Sequence, residues 1–237
     1  DGRRLPLIGV PDTQVALQAA ATAWRRRFAI PVVGVAGSNG KTTCKEMIAA
    51  ILSQAGPVLA TRGNLNNHIG VPLTLLRLDA SHRYAVIEMG ANRAGDVAEL
   101  LRFARPDVGI VTNAGAEHLE GFGSLEGVAR AEGEMFEGLA PTGVAVVNAD
   151  DEFAGLWRGM ARARIVDFGQ SPSAGFRAVD IANSVGADGF LTRFALISPQ
   201  GRTDIELRLA GMHNVGNALG AASIPAPDSR HAQMATL

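Results

Sequence analysis

The 237-residue sequence predicts an α/β fold: a mostly parallel, P-loop-type sheet with helices on both faces, plus a small antiparallel β meander. Three observations carry this expectation. Short apolar runs alternate with helical patterns from residue 30 to about residue 150, the order that parallel pairing requires. A glycine-rich stretch separates the first apolar run from the helix after it. Beyond Ile165 the chain shifts to polar–apolar alternation, as a sheet with one wet face would.

Taken in order, residues 1–29 read as a lead-in with a helix from about Thr13 to Phe28, where Val15, Leu17, Ala20 and Trp24 give a partial apolar face. Residues 30–36, with Val32, Val33 and Val35, fit a buried strand feeding directly into the glycines. Residues 43–55 follow as a helix, 84–88 as a strand, 96–104 as a helix and 108–112 as a strand. A helix over 125–139 and a strand over 143–147 complete the parallel pattern. Residues 204–209 alternate as an antiparallel strand, and the turn signals at 186–189 and 198–201 bound the other strands of the meander. A helix over 212–222 ends a domain spanning 30–223, and residues 224–237, with two prolines and little periodicity, are expected to form a loose tail.

Composition narrows the function. Hydrophobic residues make up 47% and charged residues 19%, the balance of a packed globular domain. With 22 basic and 23 acidic residues the net charge is −1, which offers a nucleic-acid backbone no excess of positive charge. No stretch approaches the roughly 20 apolar residues that cross a bilayer, and no basic-then-apolar signal opens the sequence. A soluble, cytoplasmic protein without membrane insertion is expected. The single cysteine, Cys44, has no internal disulfide partner, and its place in a helix favours an inert buried thiol over a nucleophile.

Gly34-Val35-Ala36-Gly37-Ser38-Asn39-Gly40-Lys41-Thr42-Thr43 lies between a strand and a helix, where loop N–H groups and a helix N-terminus together cradle phosphate. Gly37, Ser38, Asn39, Gly40, Lys41, Thr42 and Thr43 are therefore the candidate ATP ligands. Lys41 supplies a point charge to the β- and γ-phosphates, and the Thr42 hydroxyl sits on bound Mg²⁺. The spacing departs from the standard phosphate loop, because Val35 stands where its first glycine belongs. A tight turn that happens to precede a lysine is the competing assignment.

The segment Gly37-Ser38-Asn39-Gly40-Lys41-Thr42-Thr43 resembles the phosphate loop of the Mur ligases, which build the peptide of bacterial peptidoglycan. The stretches 63–72 (GNLNNHIGVP), 87–92 (IEMGAN) and 113–124 (NAGAEHLEGFGS) are similar to the branch of that family that joins D-Ala-D-Ala to UDP-N-acetylmuramoyl-tripeptide. The resemblance runs from about Val10 to Ser223 and covers the family's central ATPase domain, with 211–219 (GMHNVGNAL) at its end. Family members also carry an N-terminal domain that grips the UDP-sugar and a C-terminal domain that closes over ATP and the amine; neither is expected within these residues. The implied chemistry is ATP-driven: a peptide carboxylate is phosphorylated, the amine attacks the acyl phosphate, and phosphate leaves.

The resemblance also assigns residues. It makes Glu88, at the carboxyl end of a buried strand, a Mg²⁺ ligand, where otherwise a solvated carboxylate is an equal alternative. His118 is implied to help hold a second magnesium, although hard cations prefer oxygen and a lone histidine is more often structural. Glu132 stands where most relatives carry a carbamylated lysine, so its carboxylate keeps the negative charge on a shorter side chain; the alternative is a solvated acid on a helix. Asn214 resembles the adenine-binding asparagine. Asn64, Asn66 and Asn67 lie in a loop near the reacting phosphate, though asparagines among glycines often only turn the backbone. His68, His82 and His231 receive no role.

Two other functions compete: a folylpolyglutamate-type ligase, against which residues 64–72 argue, and a truncated nucleotide-binding module without ligase activity. The joint presence of Lys41, Thr42, Glu88 and His118 favours chemistry over a decayed module.

Overall fold

A computed structural model describes residues 7–116, 119–186 and 189–225. In chain order these residues form the helix Thr13–Arg25 (α1), strand Val32–Ala36 (β1), helix Lys41–Ser53 (α2), strand Val58–Ala60 (β2), helix Gly70–Leu75 (α3), strand Tyr84–Glu88 (β3), helix Asp96–Ala104 (α4) and strand Val108–Val111 (β4). The helices Leu119–Phe122 (α5) and Leu125–Glu137 (α6), strand Val144–Asn148 (β5), helix Ala154–Met160 (α7) and strand Arg164–Phe168 (β6) follow. Strands Arg177–Gly186 (β7), Gly189–Ser198 (β8) and Gly201–Leu207 (β9) precede the helix Met212–Ala222 (α8).

The first six strands form one parallel sheet in the order β2-β3-β1-β4-β5-β6. Every residue of β1 and β3 is buried, as strands covered on both faces require, so apart from Glu88 at the end of β3 their runs read as apolar rather than alternating. In register, Val35 lies beside Glu88, and Ala36 beside Val111. The carboxyl ends of β1, β3 and β4 therefore share one edge of the sheet, the edge at which open α/β sheets bind ligands.

Each face has its own core. On one, Cys44, Ile48 and Leu52 of α2 and Val215 and Leu219 of α8 pack with Val33, Val35, Val86 and Ile110, together with Phe194, Leu196, Ile205 and Leu207 of the antiparallel sheet. On the other, Ala21 of α1, Val71 and Leu75 of α3, Leu100 of α4, Phe136 of α6 and Trp157 of α7 cover Val32, Leu59, Ile87 and Val111. Two large buried side chains find polar partners within this packing: the Trp157 indole N–H donates to the Ala129 carbonyl at 2.8 Å, and the Arg25 guanidinium donates to the Ala104 carbonyl at 3.0 Å.

The expected alternation and meander are present, with β7, β8 and β9 in one antiparallel sheet. Five elements carried no legible signal: β2, α3, α5, α7 and β6. The parallel pattern runs past residue 150 to β6, an edge strand whose Arg164 and Ile165 are exposed, so its sequence lacks the apolar run that marks β1. α1 ends at Arg25 rather than Phe28, and α2 starts at Lys41 and stops at Ser53, two residues ahead of the expected bounds at each end. Of the expected tail, residues 226–237, including His231, lie outside the described residues.

Cys44 is fully buried, as expected, and burial pushes its thiol up to about 12 from an ordinary 9.0. The native protein should resist alkylation by iodoacetamide at pH 8, while the urea-unfolded chain reacts fully; mass spectrometry distinguishes the two. Because the folded pKa is the higher one, this thiol's contribution to stability is complete below pH 9.0 and falls away as pH rises toward 12.

Candidate active site

β1 ends at Ala36, and the next four residues turn the chain into α2. Gly37 holds φ at +117° and Gly40 at +81°, values that L side chains rarely adopt. Space forbids side chains as well: a Cβ on Gly37 would collide with the Thr112 hydroxyl, and one on Gly40 would lie 2.5 Å from Asn217 Oδ1. β4 holds the loop from beneath. The Ser38 N–H donates to the Asn113 carbonyl at 2.9 Å, the Asn39 N–H to Asn113 Oδ1 at 3.1 Å, and the Thr112 hydroxyl to the Asn39 carbonyl at 2.7 Å. The Gly115 N–H reaches Ser38 Oγ at 2.7 Å.

These contacts sort the loop's donors. The N–H groups of Gly37, Ser38 and Asn39 are engaged by the protein itself. The first intrahelical bond of α2 runs from the Cys44 N–H to the Gly40 carbonyl at 2.8 Å, and no side chain caps this helix. The N–H groups of Lys41, Thr42 and Thr43 thus open toward the helix mouth, where the helix dipole favours an anion. Lys41 Nζ sits on the carbonyls of Gly37 at 2.5 Å and Ser38 at 2.9 Å, beside that mouth.

Thr42 and Glu88 meet directly: the hydroxyl donates to Glu88 Oε2 at 2.9 Å. Glu88 is 2% exposed, and Asn66 Nδ2 donates to its other oxygen at 2.8 Å. The carboxylate is therefore fixed from two sides at the end of β3. Among the described residues no group of three or more His, Cys, Asp and Glu could hold a metal. A hydroxyl and a carboxylate oxygen at a phosphate-loop helix suit Mg²⁺ all the same, because that ion takes few protein ligands and fills its shell with water and phosphate oxygens.

Glu132, 3% exposed on α6, accepts the Gly37 N–H at 2.7 Å, so the helix opposite α2 puts a carboxylate against the phosphate loop. Asn214 and Asn217 lie one turn apart on α8 and are joined at 3.3 Å, with Asn214 Nδ2 on the Ala210 carbonyl at 2.8 Å. The substrate-loop asparagines divide. Asn66 holds Glu88, Asn67 Oδ1 accepts the Gly70 N–H at 2.9 Å at the start of α3, and the Asn64 carbonyl takes the Asn66 N–H at 2.8 Å within the turn. His118 lies outside the described residues.

Several contributors escaped sequence reasoning. Thr112 and Asn113 support the loop, Asp151 accepts the Ala114 N–H at 2.9 Å, and Asn217 packs on Gly40. Asn217 had a usable signal, its spacing of three from Asn214 on one helix. Thr112 and Asn113 are recognisable only once β4 is known to lie beside β1.

A parallel sheet whose central strand turns through positive-φ glycines into an uncapped helix defines a phosphate-loop α/β protein. The Mur ligase middle domain profile matches residues 35–224, and the chain belongs to the Mur ligase family. It is 46% identical over 220 residues to the UDP-N-acetylmuramoyl-tripeptide--D-alanyl-D-alanine ligase of Escherichia coli, covering 93% of this chain and 48% of that protein. Its fold superposes on the crystal structure of MurF from Acinetobacter baumannii with a TM-score of 0.86 at 37% identity, over 93% of this chain and 49% of that one. The MurF ligase of Thermotoga maritima, solved in complex with ADP, gives a TM-score of 0.81 at 27% identity, over 92% of this chain and 51% of that one. The chain thus spans about half the length of the relatives it matches.

Proposed function

We propose that this chain is the ATP-binding part of a ligase that joins D-Ala-D-Ala to UDP-N-acetylmuramoyl-tripeptide in the cytoplasm. Residues 30–223 form the catalytic nucleotide domain and 1–29 its lead-in. The observation that carries this is the Thr42–Glu88 contact beside Lys41 at the mouth of α2, a metal-and-phosphate arrangement within a chain of this family.

The terminal carboxylate of the tripeptide attacks the γ-phosphorus of ATP, ADP leaves, and the resulting acyl phosphate accepts the D-Ala-D-Ala amine with loss of phosphate. Such transfers depend on positioning and on cations placed where charge gathers. The N–H groups of Lys41, Thr42 and Thr43 bind phosphate oxygens, and Lys41 Nζ moves from the Gly37 and Ser38 carbonyls onto the β- and γ-phosphates. Glu88 and Thr42 would hold magnesium, and His118 and Glu132 are the candidates for a second ion; the metal would supply positive charge against the phosphoryl oxygens. Asn66 keeps the Glu88 carboxylate aimed at the helix mouth. Asn214 contacts adenine.

The test is phosphate release by the 237-residue chain with MgATP, measured with and without both substrates. Release that requires UDP-N-acetylmuramoyl-tripeptide and D-Ala-D-Ala together is the expected result. Release independent of either substrate would contradict the ligase assignment. Stoichiometric MgATP binding without any release would restrict this chain to the nucleotide-binding step.

A further inference from the structure

Lys45 is fully buried yet has no part in the chemistry described above. A buried ammonium is costly unless well paired. Its acidic partner, Glu46 at 2.7 Å, has a side chain 65% exposed, and such pairs contribute little. The other partner lies within the fold: Lys45 Nζ donates to the Thr61 carbonyl at 2.7 Å.

Thr61 is a junction. It is the first residue after β2, a three-residue strand at the sheet's edge with little ladder of its own. Its N–H donates to the Val86 carbonyl at 3.1 Å, and its hydroxyl accepts the Glu88 N–H at 3.0 Å. The chain leaving Thr61 then loops back. Asn66 Nδ2 reaches Glu88 Oε1 at 2.8 Å, and the Asn66 carbonyl accepts the Gly90 N–H at 2.9 Å. Glu88 is therefore gripped at its backbone by Thr61 and at its side chain by Asn66, the two ends of a single loop.

Lys45 fastens this loop to the phosphate helix. On α2 it stands three residues after Thr42 and four after Lys41, and so shares their side of the helix. Thr42 contacts the Glu88 carboxylate from that same helix. We propose that Lys45 is a positioning residue that clamps Thr61 to α2, fixing the distance between Glu88 and Thr42 and so the geometry in which magnesium and nucleotide bind together. This rests on the nucleotide-site assignment made above.

The experiment uses the whole 237-residue chain. ATP affinity is titrated with and without Mg²⁺ for wild type, Lys45→Met and Thr61→Val, alongside thermal melting and amide hydrogen exchange over residues 61–67 and 88–90. In Lys45→Met the Mg²⁺-dependent gain in affinity should shrink by about tenfold or more, the scale seen when groups supporting a metal ligand are removed. Exchange at 61–67 should quicken. Thr61→Val, which removes the acceptor for the Glu88 N–H, should shift both readouts the same way. Lost packing alone would lower the melting temperature without changing the magnesium gain, so an unchanged gain with unchanged exchange in Lys45→Met overturns the proposal. Should Lys45→Met fail to fold, Thr61→Val decides alone, and a wild-type magnesium response in it overturns the proposal. If wild type itself shows no magnesium-dependent nucleotide binding, the site assignment fails, while the exchange comparison still tests the clamp.

Discussion

Lys41→Met is expected to weaken MgATP binding by about tenfold to a hundredfold, the scale of losing a hydrogen bond between charged groups, about 1.5–3 kcal/mol. The substitution keeps most of the aliphatic stem and removes the ammonium, whose bonds are to the carbonyls of Gly37 and Ser38 at the helix mouth. Those carbonyls are not left stranded, because the site is part-buried and water can replace the ammonium. The melting temperature should therefore hardly move. Titration calorimetry gives the affinity and a thermal melt the control. Unchanged MgATP affinity would remove Lys41 from the phosphate site, and a collapsed melting temperature would make it a structural residue.

Glu132 carries the second large effect, and three substitutions separate its possible contributions. Glu132→Ala leaves the Gly37 N–H without its acceptor in a buried place, a loss of about 1–3 kcal/mol in stability by the cost of an unsatisfied donor. Glu132→Gln keeps an amide oxygen for that N–H and removes only the charge. Stability should then recover while substrate-dependent phosphate release stays low, as a metal-facing carboxylate requires. Glu132→Lys tests whether a carbamylated lysine, which the family resemblance implies at this position, can replace the carboxylate: activity should return only with added bicarbonate, which supplies the carbamate. Full activity in Glu132→Ala, with Glu132→Lys indifferent to bicarbonate, would reduce Glu132 to a brace for the phosphate loop.

The sequence made the parallel core and the phosphate loop legible for one physical reason. Strands buried on both faces must be apolar throughout, and a backbone that turns at positive φ into a helix must be glycine, so β1 and Gly37 to Thr43 leave marks that no other arrangement leaves as well. The antiparallel sheet was legible from the opposite pattern, since alternate residues of β9 face solvent. Edge elements left weaker marks. β6 is half exposed and β2 is three residues long, so neither carries a run from which to read a strand.

Within the site, what sequence offered was residue type, and what structure added was pairing. Glu88 could be placed at a strand end, but only the sheet register puts it beside Val35 and within reach of Thr42. Asn64, Asn66 and Asn67 look alike as a motif, yet one holds the carboxylate and the other two shape the turn and the start of α3. Thr61 and Lys45 are ordinary residues in sequence and become informative only through burial and hydrogen bonding.

The most direct test is a crystal structure of the chain with Mg²⁺ and a non-hydrolysable ATP analogue. Phosphate oxygens on the N–H groups of Lys41, Thr42 and Thr43, Lys41 Nζ on the β- and γ-phosphates, and a magnesium ion bound by Thr42 and Glu88 are the predicted result. A nucleotide bound away from the mouth of α2, or a metal held without Glu88, would contradict it.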